Sequence, residues 1–89
     1  MTPTHILITS GAGAIGSQLA GQFRRHHPDA RITLVDLNAE ALEHAANTHD
    51  AQAEVCDLTA IDALPAWWQS LVDRRGPVDV LINCAGIMD

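Results

Sequence analysis

Cationic side chains are scarce in this chain of 89 residues: five arginines and no lysine stand against eleven acids, giving a formal net charge of −6. Sequence-independent binding of nucleic acid needs clustered lysine and arginine to displace counterions from phosphates, so this balance argues against that partner. The two basic pairs, Arg24-Arg25 and Arg74-Arg75, are expected in the solvated last turns of two helices, where positive charge suits the helix dipole. Cysteine is equally sparse. Cys56 and Cys84 are far apart and lack CxxC spacing, which points to two buried thiols and to neither a disulfide framework nor a zinc site. The histidines offer no metal set either: His26-His27 fall at a helix end, His5 starts a strand, and His44 and His49 miss the i, i+4 spacing of a paired ligand. No apolar run approaches the roughly 18 residues of a membrane span, and Met1-Thr2-Pro3-Thr4 lacks the basic-then-apolar pattern of a signal peptide. A cytoplasmic location without a membrane partner is therefore expected.

What is present is a globular balance, 47% hydrophobic and 18% charged, in a length that suits one small domain over residues 1–89. Four β-rich segments, near His5–Thr9, Arg31–Asp36, Gln52–Cys56 and Val78–Asn83, alternate with helical patterns near Ala14–His26, Ala39–His49 and Ala63–Arg75. That βαβαβαβ alternation predicts an α/β fold with a parallel sheet and helical crossovers. Ile6-Leu7-Ile8 and Val80-Leu81-Ile82 are continuously apolar, as strands covered on both faces should be, whereas Gln52-Ala53-Glu54-Val55 alternates and suits an edge. The pattern fits strand order 3-2-1-4, the first half of a Rossmann-type doubly wound sheet, truncated after its fourth strand. In the first helix Ile15, Leu19, Ala20 and Phe23 share a face, and Pro28 prevents extension. Asn38 caps the second, whose apolar stripe is only Leu42, Ala45 and Ala46. In the third, Thr59 or Asp62 can cap, Pro65 sits in the first turn, and Gly76 ends the helix. Its face is Leu64, Trp68, Leu71 and Val72, with Trp67 pointing off it.

The chemistry-bearing stretch is Thr9-Ser10-Gly11-Ala12-Gly13-Ala14-Ile15-Gly16-Ser17, where the first strand passes into the first helix. A GxGxxG string gains meaning from that context, and from Asp36, 20 residues after Gly16 at the end of the second strand. Gly11 is expected to permit the tight turn, Gly13 to leave no side chain between backbone and a pyrophosphate, and Gly16 to let the helix approach the sheet. Free N–H groups at the helix start, including that of Ile15, would then bind the anion. Ser10 and Ala12 complete this candidate loop. Asp36, followed by Leu37, should accept hydrogen bonds from the adenosine ribose, and its charge would oppose the 2′-phosphate of NADP, so NAD is the expected cofactor and NADP the less favoured one.

Taken together, "ITSGAGAIGSQLA", "LVDLN", "VCDLT" and "DVLINCAGI" resemble the cofactor-binding part of the short-chain dehydrogenase/reductase family over essentially the whole chain. The resemblance implies that Asp57, with the backbone at Leu58, contacts adenine, and that Asn83, Ala85 and Gly86 steady the fourth strand beside the cofactor. It also implies that Ile87 approaches the nicotinamide ribose. Where single-domain members carry glycine, this chain has Ser10 and Ala14; the glycine spacing is closer to the extended, epimerase-like branch, while Asn-Cys-Ala-Gly is similar to the single-domain Asn-Asn-Ala-Gly. Family enzymes use a Tyr-x-x-x-Lys pattern with a serine beyond this region, and this chain has no tyrosine and no lysine. The expectation is thus the NAD-binding part of an oxidoreductase that moves hydride between nicotinamide and a small alcohol or carbonyl substrate, itself inactive, and a homo-oligomer when complete. A dinucleotide-binding module without catalysis, or part of an NAD-dependent sugar-nucleotide epimerase-like enzyme, are the alternatives. Left alone, the fourth strand would present Val80-Leu81-Ile82 along an unpaired edge, with self-association or marginal folding expected.

Overall fold

The computed structural model describes residues 4–84. Strands β1 (His5–Thr9), β2 (Arg31–Asp36), β3 (Gln52–Val55) and β4 (Val80–Asn83) form one parallel sheet in the order β3-β2-β1-β4. Helices α1 (Ala14–His26), α2 (Ala39–His49) and α3 (Leu64–Arg75) provide the crossovers. The sheet order and the alternation of elements are those read from the sequence.

Strand pleating sorts the apolar residues onto two faces. Ile6, Ile8, Ile32 and Leu34 point to one side and meet Ala20 of α1 and Leu42, Ala45 and Ala46 of α2. Leu7 and Val35 point to the other and meet Leu71 of α3, with Trp67 and Val72 packed around them. β1, covered on both sides, is buried along its whole length. β4 is not: Leu81 is 55% exposed while Val80 and Ile82 are half-buried. As expected, Asn38 caps α2, its Oδ1 accepting from the Ala41 N–H at 3.1 Å, an interaction of about 1 kcal/mol.

Four local expectations are corrected. The third helix does not start at Ala63 under a Thr59 or Asp62 cap. A 3₁₀ turn at Ile61–Ala63 precedes it, and no side chain caps α3. Within α3 it is Trp67, four residues before fully buried Leu71, that packs inward, and Trp68 is the more exposed. β3 stops at Val55, leaving Cys56 half-buried, whereas Cys84 is buried; both are free thiols. β4 starts at Val80, because Asp79 turns its side chain back to accept from the His5 N–H at 2.8 Å.

Arg25 is exposed in the last turn of α1 as expected, but the other three residues of the basic pairs are not simply solvated. Arg24 ties helix ends together, donating to the carbonyls of Ala30 at 2.6 Å, Asp50 at 2.8 Å and His49 at 3.1 Å. Arg74 grips Glu54 through both terminal nitrogens, at 2.8 and 3.1 Å, and Arg75 Nε reaches the same carboxylate. Glu54 is only 8% exposed, so this cluster fastens the edge strand to α3. The Arg74 hydrogen bond, assisted by Arg75, holds the Glu54 carboxyl below its ordinary value against the opposing effect of burial. A carboxyl whose folded value is depressed gives stability above its unfolded value, and that stability is lost as pH falls through the folded one. Urea midpoints should therefore drop below about pH 4.5, more steeply for the natural chain than for Glu54→Gln; parallel acid profiles for the two would contradict this.

Candidate functional site

The carboxyl ends of the four strands converge on one rim of the sheet, where β1 lies between β2 and β4. There the order reverses: the chain leaves β1 toward β2 on one side and returns to β4 on the other. Ligand crevices of open α/β sheets form at such a switch point. Thr9, Asp36 and Asn83 end three of these strands, and Asp57 and Leu58 follow the fourth at a short distance along the chain.

The glycine loop is built by steric necessity, though not as expected in each part. Ser10, not Gly11, takes the left-handed conformation, with φ 56°, and its carbonyl accepts from the Gly13 N–H at 3.0 Å. Gly11 is required by packing: its N–H bonds the Val35 carbonyl at 3.0 Å, and an added Cβ would lie 2.5 Å from Leu34 Cβ. Gly16 lets α1 approach the loop carbonyl of Ser10, which an added Cβ would meet at 2.3 Å. At Gly13 the added Cβ meets only that same carbonyl, at 3.3 Å, and otherwise open space. Because a non-glycine residue in the left-handed region costs about 1–2 kcal/mol, Ser10→Gly should raise stability by about 0.5–1 kcal/mol after its extra unfolded-state entropy. Thermal melting checks this; a lowered midpoint would contradict it.

Gly13 gives α1 no side-chain cap, and the first turn carries no acid. The first four N–H groups of a helix have no intrahelical partner. That of Gly13 bonds the Ser10 carbonyl at 3.0 Å and the first helical bond runs from the Ser17 N–H to the Gly13 carbonyl at 2.9 Å, but those of Ala14 and Ile15 have no partner among the described residues. The result is a concentration of positive backbone dipole behind an open glycine. Ile15 itself is 38% exposed at this entrance.

Asp36 connects this loop to β2. Its Oδ2 accepts from the Ala12 N–H at 3.0 Å and its Oδ1 from the Leu37 N–H at 2.7 Å, so the carboxylate is positioned beside the loop before any ligand arrives. Leu37 is exposed next to it. Asp57 is exposed and bound to its own turn, its Oδ1 accepting from the Thr59 hydroxyl at 2.6 Å and the Thr59 N–H at 2.9 Å. These bonds, the hydroxyl first, hold its carboxyl below the ordinary range. Leu58 is half-buried against the Leu7, Val35 and Leu71 cluster. Burial pushes the neighbouring Cys56 thiol up, with Asp57 and Glu54 adding to it.

Asn83 is joined to β1 by a side chain that the sequence reading did not weigh. Thr9 donates from Oγ1 to Asn83 Oδ1 at 2.9 Å and accepts from the Cys84 N–H at 2.9 Å, locking β4 beside the glycine loop. The signal for it was the register of two strand-end polar residues, which needs the topology. On the α3 side a hollow of about 500 Å³ opens next to this joint, lined by Thr9, Leu58, Leu64, Trp67, Leu81 and Asn83 among others. The expected contacts of Ala85, Gly86 and Ile87 lie outside the described residues.

The short chain dehydrogenase family model matches residues 4–89. The chain belongs to this family. It is similar to an uncharacterized oxidoreductase of Mycobacterium bovis, 36% identical over 91% of this chain and 34% of that protein. It is also similar to the sepiapterin reductase of Chlorobaculum tepidum, 35% identical over 93% of this chain and 38% of that protein. Among solved structures, an actinorhodin polyketide ketoreductase with NADPH superposes with a TM-score of 0.81 at 26% identity, over 94% of this chain and 33% of that one. The chain thus spans about a third to a half of the length of the curated relatives it matches. These matches do not favour the epimerase-like or binding-module alternatives. Among the described residues no helix is long and apolar enough to cross a membrane.

Proposed function

We propose that this chain is the NAD-binding part of an oxidoreductase that moves hydride between nicotinamide and a small alcohol or carbonyl compound. The observation that carries the reading is the uncapped start of α1, where the Ala14 and Ile15 amides stand unpartnered beside Gly13. A dinucleotide pyrophosphate is the ligand this cradle fits, since an anion both satisfies the amides and meets the positive end of the helix dipole. Ser10, Gly11, Ala12 and Gly16 shape the loop. Asp36 would hold the adenosine ribose, Asp57 and Leu58 would border the adenine, and Asn83 would fix β4 beside the nicotinamide half. Ala85, Gly86 and Ile87 complete the proposed set.

When bound, the nicotinamide supplies the hydride chemistry; these residues bind it, orient it and exclude alternatives. With neither tyrosine nor lysine present, proton transfer to the substrate oxygen would fall to segments that this chain does not span. NAD is favoured over NADP because the Asp36 carboxylate sits beside the loop and neither Leu37 nor Asn38 offers positive charge to a 2′-phosphate. Calorimetry with both dinucleotides tests this directly. The natural chain should bind NAD about tenfold or more tightly than NADP, and Asp36→Asn should narrow that ratio by about tenfold, equivalent to 1.4 kcal/mol. Equal affinities in the natural chain, or an unchanged ratio in the variant, would refute the role of Asp36.

A further inference from the structure

The other end of the sheet holds a second concentration of chemistry. Three of the five cationic side chains of this acidic protein, Arg31, Arg74 and Arg75, line one cavity of about 430 Å³ together with His5, Thr33 and Gln52. Among the described residues Glu54 is the only carboxylate paired with them, held by Arg74 and Arg75. Asp29 and Asp50 lie in the neighbouring hollow, which shares Arg31 and Gln52, and Asp79 is turned to the His5 N–H. The lining itself carries three guanidinium groups and no carboxylate; Arg74 and Arg75 are shared with Glu54 behind it, and Arg31 is paired with no carboxylate among the described residues.

Arg31 is the telling member. Its Nη1 donates to the Arg75 carbonyl at the end of α3, and its Nε is buried without any hydrogen-bond partner. The guanidinium lies against Gly76, where an added Cβ would stand 3.1 and 3.2 Å from its two terminal nitrogens. Gly76, at φ 90°, thus both ends the helix and leaves room for this arginine. A guanidinium donor without an acceptor is costly; the Nε–H is closed off from solvent, so the donor that Arg31 offers an anion in the cavity is Nη2, which has no partner among the described residues. His5 gives a firm floor, its Nε2 paired with the Thr33 hydroxyl at 2.8 Å and its Nδ1 with the Pro77 carbonyl at 3.1 Å.

We infer that this cavity, at the opposite end of the sheet from the glycine loop, is a binding site for a phosphate dianion, free or as the phosphomonoester of a small metabolite, with Arg31 as its principal ligand. Arg75 adds its terminal nitrogens and Gln52 its side-chain amide. The site stands independently of dinucleotide binding, since it shares no residue with that loop.

The test is a titration of the whole ¹⁵N-labelled chain with inorganic phosphate, with sodium chloride at matched ionic strength as control. Saturable shifts at the Gln52 and Gly76 amides and the arginine Nε–H signals are expected with phosphate and not with chloride. Arg31→Gln should weaken binding by about tenfold, as for loss of one charge-assisted hydrogen bond. Should that variant fold poorly, Gln52→Glu at the exposed lip brings a competing carboxylate and should weaken binding similarly. Glycerol 3-phosphate shifting the same signals identifies a phosphomonoester, and phosphate acting alone identifies the free ion. Shifts confined to residues 11–15, equal responses to chloride, or undiminished affinity in the variants would overturn the inference.

Discussion

Gly16→Ala should lower stability by about 3 kcal/mol, or roughly 12–24 °C in melting temperature for a chain of this size. The new methyl would fall 2.3 Å from the Ser10 carbonyl oxygen and 3.0 Å from its carbon. Neither is the free end of a side chain, so relief requires lifting α1 away from the loop. That movement would disturb Ala20, fully buried one turn later. Circular dichroism melts of the two chains provide the measurement. A midpoint within about 4 °C of the natural one, the shift of roughly 1 kcal/mol, would mean that the helix does not sit on the loop as described.

Gly13→Ala should behave in the opposite way, with little change in melting and a large change in ligand affinity. Gly13 has φ −77° and ψ 168°, extended backbone open to any residue. Its methyl would meet only the Ser10 oxygen, at 3.3 Å, which a shift of a few tenths of an ångström relieves. The same methyl would enter the space in front of the α1 amides. Dinucleotide affinity is expected to fall by about a hundredfold, or 2.7 kcal/mol, the scale of hydrogen bonds to a charged group. Calorimetry with NAD checks it. The pair of glycine variants therefore separates folding from binding within one loop, and a Gly13→Ala chain that melts normally and binds NAD undiminished would remove the pyrophosphate from this place.

How much of this was visible in the sequence depended on whether the cause was local. The limits of β1, β2, α1 and α2 were legible because Asn38, Pro28 and the apolar periodicity act within a few residues of the boundary they set. The sheet order was legible from the contrast between continuously apolar β1 and alternating β3. The start of α3 was not, since the Thr59 hydroxyl is committed to Asp57 and a 3₁₀ turn intervenes; nor was the choice of Trp67 over Trp68 for the inward face, since both lie within a turn of Leu71 and only the packed sheet decides between them. Long-range pairs were invisible for a related reason. Glu54 lies 20 residues from Arg74 and Ser17 lies 32 from His49, whose Nε2 meets the Ser17 hydroxyl at 3.0 Å. In the glycine loop the residue types were legible, but their division of labour was not. Spacing alone gives no sign that Ser10 takes the turn while Gly11 yields to Leu34.

The most direct measurement of the central claim is a backbone amide titration of the ¹⁵N-labelled chain with NAD. Saturable shifts are expected, largest at Ala14 and Ile15, with smaller ones at Ala12 and Leu37, whose N–H groups already bond the Asp36 carboxylate. Saturation that leaves the Ala14 and Ile15 amides unmoved while other residues respond would contradict it.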